Sequence, residues 1–512
     1  MGSITKKPTS SSLKRQLHHG CALARTSRTE EALVVLEDVF AVAERSNERV
    51  LAAEALDWLF WCAQAELDGR GVQRCAERML ALPISATSPQ AFRLYVRHAV
   101  AALQLGDAAG ALNIIERAER VSREADIEAF TCYLSAKADT LAALGRDVPA
   151  LEYARLSADI CSKRSDPFAH WQRTLYLGYT LQAGGQLGAA LDAYLAAATI
   201  ASDASLVWEQ ALVTALAAWI AFLVGDVVQA LALLAAARAS SARQPCLRVA
   251  CAWISLRIGI SVGDDQLIAS GADAHLLDVV LSSADTYAVG LAVTTFHDYH
   301  RSRGNDAEAD RLLRIGADRL ASLASGWALL APIARYGDDA MVAKAEALLE
   351  SFPRDHRVAR AYRRLFAALR AKRDGSTALG ERLAGEAQLL FEDFSNAFEA
   401  AQCLELSGRV AEAHQRFSAL KMHGEIARLR SLRARRGRPR NGYDAIQQCR
   451  EIKGMLAQGA TIKVIAERLG VSDRTVKARV ADIYVDEGVT TRAALLERIR
   501  SRTRKAPDLI AR

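Results

Sequence analysis

The chain has 512 residues, too many for one ordinary hydrophobic core, so it must contain several domains or a repeat array. Hydrophobic residues make up 51% and charged residues 24%, with only 10 prolines, which excludes wholesale disorder. The net charge of +7 is segregated: residues 428–512 carry 21 Lys and Arg against 9 Asp and Glu, which leaves residues 1–427 at −5. That split points to an acidic body with a tail suited to nucleic acid.

Ala and Leu dominate, aromatics are only 6%, and the alternation that strands need is missing, so an all-α fold is expected. The polar start, residues 1–12, lacks an apolar signal core and is expected to be disordered; neither export nor a membrane anchor is expected, and the location is read as cytoplasmic. The longest apolar run, 211–224, would span about 21 Å as a helix, short of a roughly 30 Å bilayer core. A buried helix is expected there. The 9 cysteines show neither two-residue pairing nor a histidine in metal-ligand register, so they read as small core residues in a reducing compartment. No metal and no cofactor is expected. No nucleophile elbow or paired-carboxylate motif stands out either, so no catalytic residue is assigned and an enzyme is not expected.

Glycines recur at 106, 145, 185 and 225, a spacing of about forty residues that means helical repeats. Five residues after each stands Ala111, Ala150, Ala190 or Ala230, and twelve residues before each of these stands Ala99, Ala138, Gly178 or Ala218. Small residues at these offsets let two antiparallel helices approach closely. The pattern resembles tetratricopeptide repeats, whose 34-residue period is shorter, so longer helices or longer links are expected. Between Asp264 and Phe394 the pattern weakens, and Pro332 and Pro353 restrict helix continuity. Nine or ten units are expected over residues 13–427, forming a solenoid whose groove suits an effector, a peptide or a protein partner. His98, Trp171 and Trp219 are read as core residues, because an aromatic at helical spacing usually packs.

Seven arginines lie within 428–440, ending in Arg436-Gly437-Arg438-Pro439. Residues 428–442 are expected to be a basic linker. The Arg-Gly-Arg-Pro run leaves two readings open: a solvated segment touching phosphates, or an AT-hook-like strand placing Arg436 and Arg438 in the minor groove. Beyond it, helices are expected over 445–458, 462–469 and from a Ser472 cap onward, with Gly459 and Gly470 as stops. Gly470 lies four and Val476 ten residues after Ala466, the spacing of a helix-turn-helix, with Ile465, Leu469, Val471 and Val480 completing a small core.

The run Met455 to Gly459, then Ile465-Ala466-Glu467-Arg468-Leu469-Gly470-Val471-Ser472, Thr475-Val476-Lys477 and Ile483-Tyr484, resembles the LuxR-type (GerE-like) helix-turn-helix of bacterial transcription regulators over residues 443–502. The resemblance implies a third helix in the major groove, Lys477 contacting bases, and a fourth helix near 492–500 that pairs two copies into a homodimer. The sequence departs from the family where it opens with Ala445-Ile446-Gln447-Gln448-Cys449 in place of Leu-Thr-x-Arg-Glu, and at Asp486-Glu487. A repeat region ahead of such a domain also resembles the C-terminal half of large ATP-dependent LuxR regulators, but no phosphate-binding Gly-x-x-x-x-Gly-Lys loop is present and no ATP switch is expected. For double-stranded DNA, Arg474, Thr475, Lys477, Ala478 and Arg479 are assigned to bases, and Thr461 and Lys463 to phosphates at a helix N-terminus. Residues 503–512 are expected to be a flexible tail. The leading expectation is a DNA-binding transcription regulator, and the rival is an interaction scaffold whose terminal domain binds protein.

Overall fold

A computed structural model describes residues 10–26, 28–85, 91–121, 127–240, 245–282, 286–320, 323–436, 451–469, 471–486 and 493–497. Every regular element among them is a helix. The chain divides into two units, Met1–Ile426 and Ala427–Arg512.

In the first unit the helices pair in chain order. Ser10–Arg25 pairs with Thr29–Arg45, Arg49–Ala65 with Gly69–Ala81, Ala91–Gln104 with Ala108–Arg120, and Ile127–Ala143 with Asp147–Ser162. Pro167–Ala183 follows with Leu187–Asp203, Val207–Val224 with Val227–Ala239, and Pro245–Val262 with the short Asp265–Gly271. After Ala274–Ser282 come Thr286–Ser302 with Asp306–Asp318, Leu323–Tyr336 with Asp339–Glu350, Arg357–Arg373 with Thr377–Asp393, and Ala397–Leu406 with Val410–Ala419. These are eleven pairs among the described residues, where nine or ten were expected. The forty-residue period is absorbed by helices of 16 to 18 residues between 127 and 224.

Local chemistry explains the repeat. Asp107, Asp166 and Asp226 each cap a helix by accepting from a backbone N–H in its first turn, which satisfies an otherwise orphaned donor. Within a pair, small meets large: the Tyr194 ring lies where a Cβ on Gly178 would come within 2.4 Å, and its hydroxyl donates to Gln182 Oε1 at 2.9 Å. The expected small positions Ala99, Ala111, Ala150, Ala190, Ala218 and Ala230 are fully buried.

Most successive first helices also touch one another and so line up in one layer. The turn glycines do more than reverse the chain. Gly145 and Gly185 have φ of +71° and +70°, a region that favours glycine. A Cβ at Gly145 would also lie 2.3 Å from the Phe352 ring, and one at Gly185 2.9 Å from Val358. The turns of repeats near 145–225 therefore pack against residues 352–420, and His356 Nε2 reaches Asp147 at 3.1 Å in the same seam. The array is thus clamped between sequence-distant repeats as well as between neighbours.

Three expectations change here. The first helix begins at Ser10, inside the expected disordered segment, because buried Leu13 and Leu17 dock it. Pro332 lies inside the helix Leu323–Tyr336 without ending it: the carbonyl of Ala328, which proline's missing N–H leaves free, accepts from Thr294 Oγ1 at 3.1 Å. The apolar helix Val207–Val224 runs to 18 residues, longer than the run that was counted. It and Pro245–Val262 are long and apolar enough to cross a membrane, yet 78% and 67% of their residues are buried within this unit, so core packing accounts for their composition. Pro353, by contrast, lies in a break between helices as expected.

The second unit contains a helix over 451–457, the helices Ile462–Leu469 and Asp473–Asp486, and a helical turn over 493–497. Ile452, Leu456, Ile465, Ala466, Val476, Val480, Ile483 and Leu495 form its core, with Leu469 and Val471 packed against it. Gly459, at φ +87°, stops the first helix as expected. The helix His423–Arg436 takes in the first nine residues expected as linker: arginine is a good helix former, and the breakers Gly437 and Pro439 come only afterwards. Residues 437–450, with Arg438 and the six residues expected to begin the first helix, lie outside the described residues.

Candidate functional site

Two sites come from the two units. In the first, four first-layer helices each turn one stripe toward a shared cavity of about 330 Å³. Asp57, Trp61 and Gln64 come from Arg49–Ala65; Arg93, Arg97 and Val100 from Ala91–Gln104; Glu128, Cys132, Ser135 and Asp139 from Ile127–Ala143; Phe168, Gln172, Arg173 and Tyr176 from Pro167–Ala183. The spacings of three and four residues place the first three sets, and Phe168, Gln172 and Tyr176 of the fourth with Arg173 beside them, on one helical face.

One wall is aromatic. Trp58 stacks on Phe168 at 5.9 Å, and the Trp61 ring centroid lies 6.1 Å from Phe168, 6.2 Å from Trp171 and 5.3 Å from Trp208. Arg25 lies over the Trp58 and Phe168 rings, at 5.2 and 4.5 Å from their centroids. Trp171 is the core residue the sequence suggested, as are Trp219 and His98.

The rest of the lining is largely ionic and only partly neutralised. Arg97 hydrogen-bonds Asp57 and lies 3.8 Å from Glu54, while Arg93 lies 3.5 Å from Glu54 and 3.9 Å from Glu128. Burial opposes the charge on Arg97, but these carboxylates more than offset it and hold the guanidinium charged. Arg173 is different. Its Nη2 donates to the Cys132 sulfur at 3.1 Å, its buried Nε has no hydrogen-bond partner, and no carboxylate among the described residues lies within 4 Å. Burial pushes the nearby Asp139 carboxyl up to about 7, against the pull of Arg173, and pushes the Tyr176 hydroxyl up to about 12. Sequence reading missed this wall. Its signal was present as charges at four-residue spacing, Arg93 and Arg97, and as Asp139 within a helix otherwise rich in Ala and Leu.

The second site is the surface of the helices Ile462–Leu469 and Asp473–Asp486. Ser472 Oγ accepts from the Thr475 backbone N–H at 3.2 Å and lies 2.8 Å from the Thr475 hydroxyl, so it caps the third helix as expected. Thr461 Oγ1 accepts from Val464 N at 3.4 Å and caps the second. Val476 and Val480 face inward, which leaves Thr475 and Lys477 exposed on the same helix and Arg479 half-buried. Thr461 and Lys463 are exposed at the start of the second helix. The side chains of Arg474, Ala478 and Arg436 lie outside the described residues. Among the described residues no cluster of His, Cys, Asp and Glu has the arrangement of a metal site.

No protein-family model matches this chain, and no curated protein matches it. Among solved structures, a Rap protein complexed with competence and sporulation factor is similar at 12% identity, over 82% of this chain and 96% of its own, with a TM-score of 0.38. The apo form of RapI is similar at 9% identity, over 80% and 98%, with a TM-score of 0.31. A circular tandem repeat protein gives 14% identity, 84% and 91%, and a TM-score of 0.13. The functional reading of each unit rests on its own residues.

Proposed function

We propose that this chain is a helical-repeat interaction scaffold whose Met1–Ile426 unit receives a peptide or protein segment at the cavity formed by its first-layer helices. The observation that carries this is the cavity's composition: aromatic rings together with an arginine, Arg173, whose buried Nε the chain leaves without a partner. Apolar walls with a few convergent polar groups are what binding sites consist of.

Selection of random displayed peptides against the full chain tests it. Enriched peptides, made in soluble form, bind the wild-type chain and fail to bind Gln172→Trp, which fills the cavity, while both proteins melt alike. No enrichment, or peptides indifferent to Gln172→Trp, removes the reading.

A second reading, a helix-turn-helix, is supported by a separate observation, the packed helices of the terminal unit with Ser472 capping Asp473–Asp486 and Thr475 and Lys477 exposed on it. On it, the terminal unit binds duplex DNA through Thr475, Lys477 and Arg479, with Arg474 and Ala478 beside them and Thr461 and Lys463 at phosphates, and the whole is a transcription regulator. Arg436 and Arg438 keep their proposed place at the backbone or minor groove. The surplus of basic residues in 428–512 favours this over a terminal unit that binds protein. Anisotropy of a labelled duplex from 50 to 200 mM salt decides: contact with several phosphates lowers affinity by orders of magnitude over that range. Absence of duplex binding at 50 mM leaves the scaffold reading alone.

A further inference from the structure

We infer that the cavity of the first unit is built for an organic carboxylate with an aromatic or apolar body, the carboxylate seated on Arg173; this rests on the scaffold reading and names the chemistry of what is bound.

Apart from Arg164 and Asp139, the other charges around the cavity have partners. Asp57 and Glu54 engage Arg97, Glu54 and Glu128 engage Arg93, Asp166 accepts from the backbone N–H of Phe168 and Ala169, and Arg25 sits on aromatic faces. Arg173 keeps its charge at any physiological pH and carries five donors in a fork that fits a carboxylate. A thiol is a weak acceptor, so the bond to Cys132 satisfies little of it. A desolvated guanidinium without a countercharge is costly unless something supplies one. Asp139 attracts it from beyond ion-pair distance, while its own burial favours the neutral carboxyl.

An incoming carboxylate supplies both the charge and the acceptors, and the charge-assisted bonds so formed are the strong kind. Cationic ligands find less to bind, because Asp57, Glu54 and Glu128 are already engaged by Arg93 and Arg97 and Asp166 by a helix N-terminus, which leaves Asp139 alone among the acidic groups of the lining. The rest of the ligand meets Trp58, Trp61, Phe168 and Val96, the apolar wall of the same cavity.

Such a group is either the C-terminus of a peptide or a free small acid. The test uses the full chain, titrated with the tripeptide Gly-Gly-Phe as acid and as C-terminal amide, and with 3-phenylpropionate and its amide. Quenching of tryptophan fluorescence and calorimetry give the affinities. At least one acid binds, and its amide binds about tenfold to a hundredfold more weakly. Arg173→Gln removes the preference for acid over amide, and Arg173→Lys retains part of it. Binding of the tripeptide acid alone identifies a peptide terminus, and binding of 3-phenylpropionate alone a small effector; both support the inference. Equal affinity of acid and amide on the wild-type chain overturns it even if Arg173→Gln does not fold, and so does absence of binding by either acid. If peptides from the display selection still bind in a manner blocked by Gln172→Trp, the scaffold reading survives that failure.

Discussion

Replacing Glu209 by glutamine is expected to stabilise the repeat unit at pH 8 and to leave it almost unchanged at pH 4. Glu209 is 1% exposed, next to Trp208 at the edge of the aromatic cluster, and neither of its carboxyl oxygens has a hydrogen-bond partner. Burial pushes its carboxyl up to about 7 from an ordinary 4.5. The folded chain therefore holds a proton that the unfolded chain releases, and stability falls as pH rises between these two values, then levels off. That rise corresponds to roughly 3 kcal/mol lost by the wild-type chain between pH 4.5 and 7. Glutamine keeps the shape without the titration, so the variant's advantage grows across the same interval. Thermal melting followed by circular dichroism at pH 4, 6 and 8 measures it, as a difference in Tm between the two proteins. Equal Tm differences at all three pH values, or a variant less stable at pH 8, would refute the reasoning.

Further outcomes follow from other residues. Gly185→Ala forces a side chain onto a φ of +70° and against Val358, so Tm drops by the equivalent of about 1–3 kcal/mol, whereas Gly188→Ala, with open space around it, leaves Tm unchanged or raised. Ser472→Ala removes the cap of the third helix and costs about 1 kcal/mol in the stability of the terminal unit, while Lys477→Ala melts like wild type and lowers duplex binding. Binding of the carboxylate probe strengthens as pH falls through about 7, because Asp139, which shares the cavity with Arg173, then loses its negative charge. Asp57, Glu128 and Tyr176 also line the cavity, so Asp139→Asn is the control: in it the affinity no longer varies between pH 6 and 8.

The small core of the second unit was readable residue by residue because it is local. Ile465, Ala466, Val476 and Val480 lie within sixteen residues and pack on one another, so spacing along the chain already encodes the core. The forty-residue repeat was readable for the same reason, since Gly178 and Tyr194 belong to one hairpin. Its middle was not. Pro332 reads as a helix breaker until Thr294, far off in sequence, is seen bonding the carbonyl that proline frees. The ionic wall of the cavity was equally hidden: Arg97 and Arg173 look like two of many surface arginines, and only packing shows that one is matched and the other is not.

Composition and periodicity alone determined that this protein is helical, that its body repeats, and that its positive charge gathers in the last sixth, because helix propensity, small-residue spacing and charge are properties of short stretches of chain. Tertiary structure alone decided that Gly145 and Gly185 join repeats two hundred residues apart in sequence, and that four helices pool single stripes into one cavity. Those facts depend on which surfaces meet after the repeats have stacked, and the angle accumulated over many pairs is written in no single one of them.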